Sequence, residues 1–381
     1  MESRNRFADI TPAILLPIVL SLCLICGLIA VVTLFLFPSR TNPLESLYLQ
    51  AYIRLNNDEL HQAIGTDSTP RRFEVLPGST ANDIGIKLVT EGFISNGTLF
   101  ARYAQYKNLD DDFVPGVFYL NETMDIPTIL EVLTDPTPTT IRFTIRENMR
   151  IEEIAEQIDA TPQLAFTGND FLSLVRAGAP IPEDFRIAYG IPLGQSLEGF
   201  MYPATYEVPV AMPVEEFVEM LLSRFEQAIT SDIVIAAAER GKTIYQIVII
   251  ASIVEREAVL DEERTLIASV YWNRLENNMR LEADPTVQYQ LANNRQDGIW
   301  WPPITPLDYT TAEGPYNTYL NHGLPPGPIV SPASRSIIAA AKPAETDYLY
   351  FQTSCEGGGK HVFFRTFAEH QAYFELRQAG C

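Results

Sequence analysis

From Ala13 to Phe37 the chain reads AILLPIVLSLCLICGLIAVVTLFLF without a single charge. Such a run extends roughly 37 Å as a helix, enough to cross a hydrocarbon core of about 30 Å. The LFPSRTNP that follows offers no small-residue cleavage site, so 13–37 is expected to be a retained transmembrane helix behind a cytoplasmic tail at 1–12. Further on, Leu47, Leu49, Tyr52, Ile53 and Leu60 recur at helical spacing, which predicts a stalk helix within a linker at 38–70. The pattern then shortens and repeats. RFEVLPGSTANDIGIKL from Arg72 and RFTIRENMRIEEIAEQI from Arg142 align without a gap at an offset of 70 residues. Each reads as a strand, a turn and an amphipathic helix, the second at 141–159.

Between the two copies, helical TLFARYAQYK, extended GVFYL and helical IPTILEVL complete a small α+β unit at 71–137. The prolines of DPTPTT mark a seam, and 138–381 forms a second domain of mixed helix and strand. Beyond about residue 190 it is built of long helices broken by Pro/Gly-rich loops, closing in a hairpin, DYLYFQT and HVFFRT, around GGGK. The fold class expected is therefore α+β behind a single N-terminal membrane helix.

Charge narrows the ligands. With 48 acidic against 27 basic residues and a net charge of −21, nucleic acid is excluded as a partner. A neutral polymer or a small molecule fits better. Arg4 and Arg6 precede the apolar run while Arg40 and Arg54 follow it; the N-terminus is read as inside, with the bulk of the chain extracytoplasmic at the cell membrane. Cys355 and Cys381 lie in that outer part and are available to pair in an oxidising compartment. His61, His322, His361 and His370 are scattered and Cys23 and Cys26 sit in the apolar run, so neither a metal nor a cofactor is expected.

The chemistry concentrates in IIASIVEREAV, 249–259, where an apolar segment carries Glu255 and Glu257. On a helix of 100° per residue, Glu255 falls among Ile244, Val248 and Ala251, and Glu257 beside Ile250, Ile253 and Val254, so neither has a solvent face. Desolvation that raises a carboxyl pKa from about 4.3 to about 6 makes roughly a tenth of it acid at pH 7, which suits a general acid. The competing reading is a helix end whose carboxylates reach water or pair with Arg256, Arg264 or Arg274. Around this segment lie LEGFMYPATYEV, VYWNRL, MRLEADPTVQYQL and GPYNTYLNHGLPPGPI, rich in the aromatic rings and amides that recognise hydroxyl-rich chains. No GxSxG elbow and no Gly-rich phosphate loop is present.

ASIVEREA, ER at 263–264, NRL, MRLEADPTVQY, YNTYLNHGLPPGPI, DYLYF and the GGxHVF pattern, in this order, resemble the endolytic lytic transglycosylases of bacterial peptidoglycan, the MltG or YceG-like family. The resemblance runs from about Phe73 to the end. It implies cleavage of the MurNAc-GlcNAc β-1,4 bond within nascent peptidoglycan glycan strands, ending them with 1,6-anhydro-MurNAc. One carboxyl group serves first as acid and then as base, unlike the usual pair of a glycosidase. The role maps to Glu257, with Glu255 as second choice, although Ala258 stands where a hydroxyl residue is usual. Substrate contacts are expected from Tyr202, Asp284, Thr286, Asn317, Thr318 and Tyr319, and structural support from Asn273 and Arg274. The resemblance further implies a LysM-like, glycan-binding module at 71–137 and cell-wall elongation synthases as neighbours. Two other readings stay open: an inactive glycan-binding scaffold, and a muramidase that uses water with Asp284 as its second carboxylate.

Overall fold

The computed structural model describes residues 43–381 apart from Pro138, Gln296 and Cys381. The apolar run at 13–37 and the tail at 1–12, expected to be a membrane helix and its cytoplasmic end, lie outside these residues, and no helix among the described residues is long and apolar enough to cross a membrane. The chain is α+β, and it divides after Thr137 into two compact units.

In the first unit α1 (Pro43–Leu55) and the short α2 (Asn57–Leu60) precede β1 (Arg71–Val75), α3 (Ala81–Thr90), α4 (Gly97–Lys107), β2 (Gly116–Leu120) and α5 (Ile126–Thr134). The expected stalk helix packs into this unit, with Ile53 and Leu60 buried in its core beside Phe73, Leu88, Leu99, Phe100, Leu120 and Leu133. β1 and β2 pair antiparallel with Phe73 opposite Phe118, which turns the alternating apolar residues of both strands to one face. The helices start where the sequence supplies an acceptor: Thr80 accepts from Asp83 N at 3.2 Å, Asn96 from Leu99 N at 2.9 Å and Asp125 from Thr128 N at 2.9 Å. α3 and α4 touch through glycine. A Cβ on Gly97 would stand 2.5 Å from the carbonyl oxygen of Gly85, so only glycine allows this approach.

The second unit opens with the other copy of the repeat, β3 (Thr140–Ile145) and α6 (Ile151–Asp159), followed by α7 (Gly168–Val175), α8 (Glu183–Tyr189) and β4 (Ala204–Pro209). β3 pairs antiparallel with β4, Phe143 opposite Tyr206. Five further helices follow: α9 (Val214–Ala228), α10 (Ser231–Glu239), α11 (Ile244–Glu257), α12 (Arg264–Glu276) and α13 (Asp284–Arg295). After them come α14 (Asp308–Thr311), α15 (Ser334–Ala341), the hairpin β5 (Tyr350–Thr353) and β6 (His361–Phe364), and α16 (Phe367–Gln378). The hairpin is closed by Gly357, Gly358 and Gly359 with φ of 75°, 69° and 77°, a left-handed turn that side chains would strain. Cys355, beside this turn, is disulfide-bonded; Cys381 lies outside the described residues.

α11 explains its own composition. It is largely apolar all round because every residue from Ile244 to Glu255 except the capping Gln246 is buried, the helix packing against α12 and α15. Thr243 and Gln246 cap its start reciprocally, at 3.0 and 3.2 Å. At the other end Ala258 turns extended, at φ −77° and ψ 118°, so Glu257 is the last helical residue.

Candidate active site

Glu255 and Glu257 are two positions apart, a rotation of about 200° on a helix, and the two carboxylates enter different surroundings. Glu255 is 2% exposed; its Oε2 accepts from Ala333 N at 3.0 Å, and its Oε1 faces Arg264 at 3.5 Å and Arg335 at 3.8 Å. It is an anchor between α11 and α15. Glu257 instead opens on a cavity of about 310 Å3.

That cavity is assembled from separate pieces of chain. α11 supplies Glu257, α12 supplies Tyr271 and Arg274, the start of α13 supplies Asp284, and Tyr319, the β5–β6 hairpin and α16 complete the wall. The Tyr271 hydroxyl donates to Glu257 Oε1 at 2.9 Å. Oε2 has no hydrogen-bond partner among the described residues and remains available to a ligand. Burial pushes the Glu257 carboxyl up to about 7; the negative charge of Asp284 adds to this, while the Tyr271 hydrogen bond and the Arg256 cation work against it. Near neutral pH both the acid and the carboxylate are therefore populated.

Asp284 is held in place from above. Tyr319 donates to its Oδ1 at 2.7 Å and Tyr309 to its Oδ2 at 3.4 Å, the two rings stacked with centroids 4.2 Å apart. The pKa of both phenols is pushed above its ordinary value, first by burial and then by the Asp284 charge, so they stay donors. Behind them sit Thr286, Asn317 and Thr318, all buried and none lining the cavity. Asn317 Nδ2 donates to the carbonyls of Tyr309 and Ala312 at 3.1 and 2.9 Å, and its Oδ1 accepts from Tyr319 N at 2.9 Å. The Thr286 and Thr318 hydroxyls meet at 2.8 Å, and Thr318 also accepts from Ala283 N at 3.0 Å. These three position Asp284 and Tyr319 rather than face a ligand. Tyr202 stands elsewhere, its hydroxyl bonded to Ser334 at the start of α15, next to the residue that anchors Glu255.

Of the residues expected at the site, the structure thus gathers Glu257, Asp284 and Tyr319 around one cavity, with Thr286, Asn317 and Thr318 beneath. Tyr271 belongs to the aromatic stretch VYWNRL but is not singled out by sequence as a site residue, since only the α11–α12 turn brings it back over Glu257. Arg274 also lines the cavity, ion-paired with Glu282 and donating to the carbonyls of Arg280 and Leu349 at 2.8 and 3.3 Å. Asn273 ties the carbonyls of Thr346 and Tyr348, both at 2.9 Å, so α12 fixes the approach to β5. His361 enters the wall with its ring Nδ1 2.7 Å from Glu263 and its backbone N–H on the same carboxylate at 2.9 Å. Among the described residues, no group of three His, Cys, Asp or Glu could hold a metal ion.

A family model described as the YceG-like family matches residues 73–375. The endolytic murein transglycosylase of Bacillus subtilis is similar to this chain, 30% identical over 327 residues, which cover 83% of this chain and 87% of that protein. A protein of the same name from Streptococcus pneumoniae serotype 2 is 29% identical over 292 residues, 72% of this chain and 52% of that one. This chain accordingly spans about half the length of that pneumococcal relative. The crystal structure of a YceG-like protein from Listeria monocytogenes matches with a TM-score of 0.52 at 28% identity, covering 80% of this chain and 99% of that one.

Proposed function

The chain belongs to the YceG-like family, and from that premise we propose that it is an endolytic murein transglycosylase with Glu257 as its acid and base. The observation that carries the reading is the half-buried Glu257 carboxyl on a cavity wall, its pKa shifted to about 7. In the proposed reaction the Glu257 proton passes to the bridging oxygen and the bond from muramyl C1 to that oxygen breaks. The muramyl C6 oxygen bonds to C1, and its proton returns to Glu257. No water is consumed, the acid is regenerated, and the strand ends in a 1,6-anhydro ring. A group near pKa 7 suits both steps, because it gives up and recovers a proton at similar cost.

Two features support this chemistry over the alternatives. Tyr271 supplies Glu257 with the orienting hydrogen bond that Ala258 cannot, which weighs against an inactive scaffold. Asp284 has both oxygens engaged by tyrosine hydroxyls, which weighs against its acting as the second carboxylate of a hydrolase. We further read 13–37 as a membrane anchor, the remainder as extracytoplasmic, the first unit as a LysM-like glycan-binding module and wall-elongation synthases as partners, on the strength of the charge-free apolar run and the ordered motifs.

Mass spectrometry of uncross-linked glycan strands incubated with the purified full chain tests the reaction. Anhydro-muramyl ends are expected with the wild type and are lost in Glu257→Gln. Free reducing muramic ends would replace this reading with hydrolysis.

A further inference from the structure

An endolytic substrate continues on both sides of the bond that is cut, and a cavity of about 310 Å3 lies at the small end of what encloses one drug-sized ligand. More of the strand must rest elsewhere on the same unit. A second basin, about 550 Å3, is formed by the turn and helix of the second repeat and lined by Thr144, Arg146, Met149, Glu153, Glu156 and Gln157. At its border stand Trp300 and Trp301, both half-buried. The Trp300 indole N–H donates to Glu156 at 2.9 Å and that of Trp301 to Glu153 at 3.3 Å, so the two carboxylates of the basin hold the two rings.

The rings are also stiffened from within. Arg150, 0% exposed, places its guanidinium 5.1 Å from the Trp300 ring and 5.9 Å from that of Trp301. Arg256 lies 3.8 Å from the Trp301 ring and immediately precedes Glu257 in α11, which connects the tryptophan pair to the catalytic helix. Large aromatic rings kept partly in water, beside carboxylates and an amide, match a pyranose: apolar C–H faces stack on indole, and hydroxyl and acetamido N–H groups donate to carboxylates.

We infer that the Trp300–Trp301 pair and the adjoining basin form a distal subsite for the glycan strand, taking β-1,4-linked N-acetylhexosamine units away from the bond being cut. This rests on the reading of the chain as a glycan-cleaving protein, but its test does not depend on cleavage. The chain has three tryptophans, and Trp272 is 1% exposed with its Nε1 on the Ala340 carbonyl at 2.9 Å, so changes in emission on binding report on the other two.

The full chain carrying Glu257→Gln is titrated with a soluble β-1,4-linked N-acetylglucosamine oligomer while tryptophan emission is followed. A saturable change is expected. Trp300→Leu and Glu156→Ala, each added to that background, should weaken binding about tenfold, as loss of one stacked ring or of its tether implies. The emission of the remaining Trp301 supplies affinities for Trp300→Leu, so that glycan held by the first unit is not counted, and Glu156→Ala removes the tether at an exposed helix position. Unchanged emission in the parent protein, or equal affinity in both variants, overturns the inference. If the wild type leaves anhydro ends yet the parent shows no tryptophan response, the subsite fails and the proposed function stands. Tryptophan-dependent binding by a protein that cleaves nothing supports the subsite and removes the catalytic reading.

Discussion

The phenolic oxygen of Tyr271 lies 2.9 Å from Oε1 of Glu257, the hydroxyl donating from one helix to the last residue of the helix before it. This hydrogen bond favours the carboxylate and opposes the larger effect of burial. Tyr271→Phe should therefore raise the Glu257 pKa above its value of about 7 and move the alkaline limb of strand cleavage to higher pH. The measurement is a pH–rate profile of kcat/KM for both proteins. A limb that stays in place would show that another group governs it.

Glu257 also couples folding to pH. Its carboxyl is held near 7 in the folded chain against an ordinary 4.5, so the native state binds the proton more tightly than the unfolded chain. Its contribution is fully present below about pH 4.5 and is lost as pH rises through 7. Glu257→Gln removes that loss, and the variant should gain on the wild type by about 1–3 kcal/mol at pH 8–9 while gaining nothing near pH 4. Thermal unfolding at both pH values reads the difference. Glu198, fully buried and raised to about 8 mainly by burial, adds a decline in the same direction that persists in the variant.

Glu255 should behave oppositely. Glu255→Ala takes from Arg264, whose side chain is 5% exposed, the buried one of its two carboxylate partners, leaving Asp261 at 3.0 Å, and removes the acceptor for Ala333 N. A loss of about 3–5 kcal/mol is expected from breaking a buried ion pair. Urea unfolding of Glu255→Ala and Glu257→Gln at pH 7 separates the anchor from the acid: only the first should shift the midpoint strongly downward.

In the first unit, Gly97→Ala should destabilise by about 1–3 kcal/mol, because the added methyl would stand 2.5 Å from a backbone oxygen of Gly85 and force α3 and α4 apart. Faster amide exchange across 81–107, with exchange in α11 unchanged, is the expected signature.

Local pattern determined much of this protein. The strand–turn–helix repeat, the caps at Thr80, Asn96, Asp125 and Thr243, the glycine-closed hairpin and the all-apolar α11 are each encoded within a few residues, because capping, alternation and turn conformation are short-range effects. The glutamate pair was equally legible, since a carboxylate in an apolar helix is anomalous on any fold. What helical spacing left open was which of the two faces a cavity and which is neutralised by arginine. That choice rests on Arg264, Ala333, Tyr271 and Asp284, which reach α11 only through tertiary packing. For the same reason Asn317, Thr318 and Thr286, polar in composition like binding residues, became buried supports, while Tyr319 beside them reached the cavity wall. Residue type states what a side chain is able to do; its solvent exposure and its partners, set by distant segments, decide what it does.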